Sequence, residues 1–355
     1  MSKWIDKPKT IRAGEEFDTS RLEAYLREQL PHLSGEFSVE QFPSGFSNLT
    51  YFLKMGDTEM VMRRPPFGTK VKSAHDMNRE YTILSHLNPV FDKAPKPLVY
   101  TADESIIGAE FYVMERVRGV ILRATMPKAM VPEPPLMRQI SESLVDALAE
   151  LHAIDLEAAG LHNFGRPAGY VERQVSGWTR RYMRAKTDDV PDMEKAATWL
   201  ADNLPPESGA TLIHNDFKYD NFVLDSADWT KIIAILDWEM ATVGDPLMDL
   251  GTSLSYWVEP NDPPGIALLG LSPTQHPGNL TRAEVVQRYA EKSGRNIDNM
   301  AFYYAYGAFK LGGVVQQIYY RWKKGHTKDP RFAGLLHSVK ACGAIAMRAI
   351  ETGTI

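Results

Sequence analysis

The chain changes texture once, and that change limits the folds open to it. Between Phe37 and Val117 the apolar residues come in short runs, FSVEQF, LTYFLKM, TEMVMRR, LVYT and EFYVMERV, broken by turn formers such as PSGFSN and GD. Short β-rich runs between turn residues read as antiparallel strands. One helix is expected among them, from about Ala74 to Leu87, and another before them, opened by the capping box Ser20-Arg21-Leu22-Glu23. After Gly119 apolar residues recur at helical spacing, as in Leu136 to Ile154, Val171 to Lys186 and Asp192 to Asn203. Only FVLD (222–225) and KIIAIL (231–236) return to strand texture, and Thr281-Arg282-Ala283-Glu284 caps a further helix. The expectation is an α+β protein with a small β-rich lobe, 1–117, and a larger helical lobe, 118–355. Ligands usually bind in the cleft that such a pair leaves.

Composition excludes several classes. The net charge is −5 over 355 residues, so nucleic-acid binding is not favoured. A single cysteine, Cys342, allows no internal disulfide and fits a reducing compartment. The amino terminus, MSKWIDKPKT, has no apolar core of a secretory signal, which points to the cytoplasm. The longest apolar run, Ala301 to Val315, is interrupted by Lys310 and reads as a buried helix rather than a membrane span.

The chemistry is concentrated in LIHNDFKYDNFVL, residues 212–224, where polar groups stand between two strand-like segments. His214-x-Asp216, with Asn221 after four intervening residues, matches the H-x-D-x-x-x-x-N catalytic loop of protein-kinase-type phosphotransferases. Phosphoryl transfer needs a carboxylate to take the proton of the attacking hydroxyl, and oxygen ligands for Mg²⁺. Asp216 suits the first task and Asn221 the second. Lys218 supplies a cation for the transferred phosphate, and His214 holds the loop. The competing reading is a polar turn in a β-hairpin. Asp237, just past the strand-like KIIAIL, occupies the place of a second metal ligand, although an aspartate there also serves as a helix N-cap. Asp249, in GDPLMDL, is expected to brace the loop as a hydrogen-bond acceptor.

A nucleotide site needs a phosphate-covering turn and a fixed cation. Ser44, Gly45, Ser47 and Asn48 lie in a turn between two strands, where backbone amides and side chains can cap phosphates. Arg63 falls on the third strand, where a phosphate-binding cation belongs, and Glu80 on the next helix is its expected partner. Both also fit ordinary surface charges. Glu115 and Val117, at the end of the last strand of the small lobe, are expected to meet the adenine edge through their backbone.

Taken together, SGFSNLTYFL, VMRRPP, NREYTIL, EFYVMERVRG, GYVERQVSGWTRRY, LIHNDFKYDNFVLD and AILDWEMATVGDPLMDL resemble the aminoglycoside phosphotransferase and choline kinase superfamily. The likeness is greatest to the kinase-like domain found at the amino terminus of some long acyl-CoA dehydrogenases. It implies a protein-kinase-like bilobal fold, the cofactors ATP and Mg²⁺, and transfer of the γ-phosphate to a small-molecule hydroxyl. By the same match Asp216 is the base, and Asn221 and Asp237 hold the metal. Two positions depart from the superfamily: Asn215 replaces a usual glycine, and Arg63 a usual lysine. The association with acyl-CoA dehydrogenases makes a hydroxy acyl-CoA or hydroxy acid the expected acceptor. On a helix Gln174, Trp178, Arg181 and Tyr182 share a face that is a candidate acceptor lining; a core Trp with solvated arginines is the alternative. A catalytically silent nucleotide-binding module of fatty-acid metabolism is the competing function. A membrane or nucleic-acid partner is not expected.

Overall fold

The computed structural model describes residues 4–42, 48–66 and 76–355. In chain order the elements are α1 (Thr19–Gln29), β1 (Phe37–Gln41), β2 (Leu49–Met55), β3 (Thr58–Arg64), α2 (Met77–Leu87), β4 (Pro97–Thr101), β5 (Phe111–Glu115), α3 (Pro134–His152), α4 (Tyr170–Ala185), α5 (Pro191–Asp202), β6 (Thr211–Ile213), β7 (Phe222–Leu224), β8 (Ile232–Ile235), β9 (Thr242–Gly244), α6 (Pro246–Ser255), α7 (Pro264–Ala267), α8 (Arg282–Ser293), α9 (Met300–Lys323) and α10 (Leu335–Thr352). The fold is α+β, with an antiparallel sheet in the first third of the chain and mostly helices after it. Among the described residues no helix is long and apolar enough to cross a membrane.

The chain divides into two compact units. The first is Met1–Ile121 with Phe222–Ala241; the second is Leu122–Asn221 with Thr242–Ile355. The first unit is built on an antiparallel sheet of order β1-β2-β3-β5-β4. Its strand registers place Tyr51, Leu53, Met60, Met62, Phe111 and Val113 on one face, where Leu22 and Leu26 of α1 cover them. Burying each such side chain contributes about 2 kcal/mol. The cap of α1 is Asp18, which accepts from the amides of Ser20 and Arg21, so the helix opens before the expected Ser20 box. The β7–β8 hairpin belongs to this unit: Val120 pairs with Leu224, and the Ile235 amide donates to the Lys93 carbonyl.

The second unit is helical around α9, which packs on α4, α5, α6 and α10. Its middle is buried on nearly every side, as the apolar run requires. The α6–α9 crossing is backbone against backbone, because a Cβ on Gly251 or Gly307 would collide with the facing main chain. Two short strands, β6 and β9, pair beside these helices. The Thr281 capping box is present at the start of α8, with Glu284 as its reciprocal partner. Cys342 is buried in α10, and burial pushes its thiol up to about 12.

Candidate active site

In the second unit, β6 delivers a short loop whose backbone is fixed from several directions. Asp249, fully buried on α6, accepts hydrogen bonds from the amides of His214 (2.8 Å) and Asn215 (2.7 Å). His152 adds a contact to the same carboxylate at 3.2 Å, and the Tyr289 hydroxyl meets the other nitrogen of that imidazole at 2.7 Å. Burial alone would raise the Asp249 pKa, but His152, His214 and these hydrogen bonds hold it below the usual carboxylate range. The expected bracing role of Asp249 thus has a definite geometry.

That anchoring explains Asn215. Its φ is +65°, the left-handed region that most L-residues avoid and glycine or asparagine enters. The side chain is buried and exchanges hydrogen bonds with the Tyr170 hydroxyl at 3.1 and 3.3 Å. Asparagine therefore keeps the turn a glycine would make and adds a tether.

Asp216 emerges from this turn. Its amide donates to Nδ1 of the buried His214 (3.3 Å), so His214 acts on the loop backbone. Its carboxylate lies 2.9 Å from the Lys218 ammonium and 3.1 Å from the Asn221 amide nitrogen. Asn221 also donates to the Asp216 carbonyl at 2.7 Å, which leaves its amide oxygen as the group suited to a cation. Tyr256, which had no role in the sequence reading, donates to the Asp216 carboxylate; burial and that anion push its pKa well up. The Lys218 ammonium sits 5.2 Å from the Tyr256 ring centroid.

The first unit holds a second polar cluster. Arg63 of β3 reaches Glu80 of α2 at 2.8 Å, Asp237 at 2.8 Å and Glu239 at 3.6 Å. Side-chain exposure is 8% for Arg63 and 1% for Glu80, so these are not surface charges. Burial opposes the Arg63 charge, but Glu80 and Asp237 outweigh it and hold its pKa well above the usual value. Burial pushes the Glu80 carboxyl up to about 7, against the pull of Arg63. Asp237 follows β8 in the left-handed region at φ +68°, and its side chain is 30% exposed. Asp237 and Glu239 beside the single guanidinium leave an excess of negative charge, and with the partly exposed side chain of Asp237 this fits a divalent cation. Among the described residues no group of three His, Cys, Asp or Glu could hold a metal alone. Mg²⁺ does not require one, since it takes one or two carboxylates and completes its shell with phosphate and water.

The remaining expected residues are placed as follows. Asn48 is buried and gives its amide to Glu239 at 2.8 Å. Ser44, Gly45 and Ser47, and the expected start of α2 at Ala74, lie outside the described residues. Glu115 ends β5 with its amide donated to the Lys96 carbonyl, and Val117 follows half-buried. Asn221 and Asp237 fall one in each unit. On α4, Trp178 is buried, Gln174 half-buried and Arg181 exposed, its guanidinium 4.9 Å from the Trp178 ring centroid. Tyr182 is fully buried and packs edge-on against Phe309, so the shared helical face extends inward into the core at that end.

Sequence reasoning gave no part to Glu239 or Lys310. Glu239 carried no signal beyond its place in DWE. Lys310 had one, as a lysine inside an apolar helical run. Its Nζ donates to the Asn215 carbonyl at 3.0 Å.

Comparison with known proteins identifies the family and the fold. The model of the phosphotransferase enzyme family matches residues 38–303. Acyl-CoA dehydrogenase family member 11 of Gallus gallus is 37% identical over 330 residues, covering 89% of this chain but 41% of that protein. This chain therefore spans about two fifths of that curated relative. A solved chain from Ralstonia eutropha assigned to the aminoglycoside phosphotransferases is 28% identical, with a TM-score of 0.78 over 94% of this chain and 99% of that one. Choline kinase from Cryptosporidium parvum shares the fold at 11% identity, with a TM-score of 0.64 over 94% of this chain and 96% of that one.

Proposed function

The chain belongs to the phosphotransferase enzyme family, and from that premise we propose that it is a Mg-ATP-dependent kinase acting on a hydroxyl of a small molecule. The observation that carries the reading is the state of Asp216: an oriented carboxylate, flanked by Lys218 at 2.9 Å and Asn221 at 3.1 Å, on a loop anchored by Asp249. Asp216 takes the proton of the acceptor hydroxyl as the oxygen attacks phosphorus. Lys218 holds that carboxylate and offers its charge to the phosphate. Asn221 and Asp237 are the proposed ligands of Mg²⁺, which when bound neutralises charge on the transferred phosphate. Arg63, kept charged by Glu80, is the proposed phosphate contact, Asn48 with Ser44, Gly45 and Ser47 the proposed phosphate cover, and Glu115 and Val117 the proposed adenine edge.

For the acceptor we propose a hydroxy acyl-CoA or a hydroxy acid. The support is the naming of the relatives as acyl-CoA dehydrogenases, which suggests a functional link, and a basic helix face of Gln174, Trp178 and Arg181. An exposed guanidinium on an aromatic platform suits a carboxylate or a CoA phosphate. It suits a polycationic antibiotic poorly. Tyr182 is left out of this face because its ring is buried. The single cysteine fits a cytoplasmic setting.

The test is ADP release from Mg-ATP in the presence of a panel of hydroxy acids and their CoA thioesters. Acceptor-dependent release with a phosphorylated product is expected. Tight Mg-ATP binding without turnover on any acceptor would leave a silent nucleotide-binding module instead.

A further inference from the structure

Lys310 lies in the middle of α9 at 3% exposure, between Phe309 and Leu311. A buried ammonium is costly unless its contacts compensate. Burial pulls its pKa down to about 8, opposed by Asp249 and Asp216 and reinforced by Lys218 and Arg181. The contact that answers this cost is the hydrogen bond to the Asn215 carbonyl, 3.0 Å away. That carbonyl belongs to the peptide joining Asn215 to Asp216. The Trp178 ring centroid is 5.9 Å from the ammonium, and Gly313 leaves room for that ring on α9.

Asp249 holds the amides of His214 and Asn215, which lie before the left-handed turn. It does not hold the peptide plane after the turn, whose N–H makes a long 3.3 Å bond to His214 Nδ1 and whose carbonyl faces Lys310; rotation about ψ of Asn215 would swing the Asp216 side chain with that plane. We infer that Lys310 is a positioning residue for Asp216: its ammonium fixes the Asn215–Asp216 peptide from the α9 side, as Asp249 fixes the preceding amides from the α6 side. Trp178 covers the amine and reduces competition from water for the bond. The kinetic consequence rests on the phosphotransfer reading; the effect on the loop does not.

Two variants separate the donor from mere packing. Lys310→Met removes the donor at similar volume, and Lys310→Gln keeps a neutral one. With Mg-ATP and hydroxybutyryl-CoA or hydroxydecanoyl-CoA as the acceptor probe, kcat should fall about a hundredfold in Lys310→Met, with KM for ATP within twofold of wild type. Lys310→Gln should recover part of that loss. Hydrogen exchange at the amides of residues 215–217 should rise in Lys310→Met and less in Lys310→Gln, with α10 unchanged. This second measurement decides the question even if neither probe is turned over, so failure of the kinase reading and failure of the Lys310 proposal are distinguishable. Wild-type kcat and wild-type loop exchange in a folded Lys310→Met variant would overturn it. Equal effects of Met and Gln would overturn it too. If Lys310→Met does not fold, carbonyl ¹³C NMR on the unmutated protein replaces it. The Asn215 carbonyl shift should follow the Lys310 titration, and a shift that ignores it refutes the proposal.

Discussion

The two polar clusters are balanced in opposite senses. Around Arg63, three carboxylates share one guanidinium, two of them within 2.8 Å. Around Asp216, one carboxylate has Lys218 at 2.9 Å, and Lys310 grips the adjoining carbonyl. An excess of anions favours a bound cation, whereas an anion with its own cations is held in one orientation. The contrast teaches that the same residue types can be set in opposite charge balances, and on the proposed function it predicts cation binding at the first cluster and proton transfer at the second.

Separate substitutions should pull these properties apart. The largest effect is expected from Asp216→Asn, which should lower kcat about a thousandfold while the Kd of Mg-ADP stays within twofold. Asp237→Ala should do the reverse first, weakening Mg-ADP about tenfold or more in calorimetry. If both variants change the same parameter, the contrast between the clusters fails. Arg63→Met comes next. It leaves Glu80 buried without its cation and should cost about 3 kcal/mol in urea unfolding. Added Mg²⁺ should recover part of that stability in the variant and much less in the wild type; equal recovery would argue against the excess negative charge. The smallest effect belongs to Asn215→Gly. Glycine adopts φ +65° freely, so only the tether to Tyr170 is lost, and the change should stay within about 1 kcal/mol. Asn215→Val at the same place should be clearly worse, by denaturation midpoint, because a β-branched residue resists that conformation.

What could be read from the sequence was what local pattern encodes. β2 and β3 coincide with LTYFLKM and TEMVMRR residue for residue, because turn formers bracket β-rich runs. Asp249 could be assigned its bracing role because GDPLMDL opens a helix, and helical geometry brings its carboxylate back to the loop. Features set by distant partners were not legible. β9 is three residues long and acquires strand character only by pairing with β6, some thirty positions earlier. The cap of α1 moved to Asp18 because an aspartate two residues upstream competes with the Ser20 box, and spacing alone does not rank them. The depth of Tyr182 was hidden as well, since a helical wheel gives direction around the axis but not distance into the core. Lys310 showed as an interruption, yet the carbonyl it serves is 95 residues away in sequence.

The membership of residues 222–241 in the first unit has a consequence for biosynthesis. A nascent chain that has emerged only as far as residue 121 has the five-stranded sheet but lacks the hairpin carrying Asp237 and Glu239. Arg63 and Glu80 are then made without two of their eventual neighbours. The first unit is completed only after residues 122–221, which belong to the second unit, have been made and the hairpin arrives. A fragment cut at residue 121 should therefore be a poor stand-in for the unit, whereas one carrying 222–241 through a short engineered splice should fold.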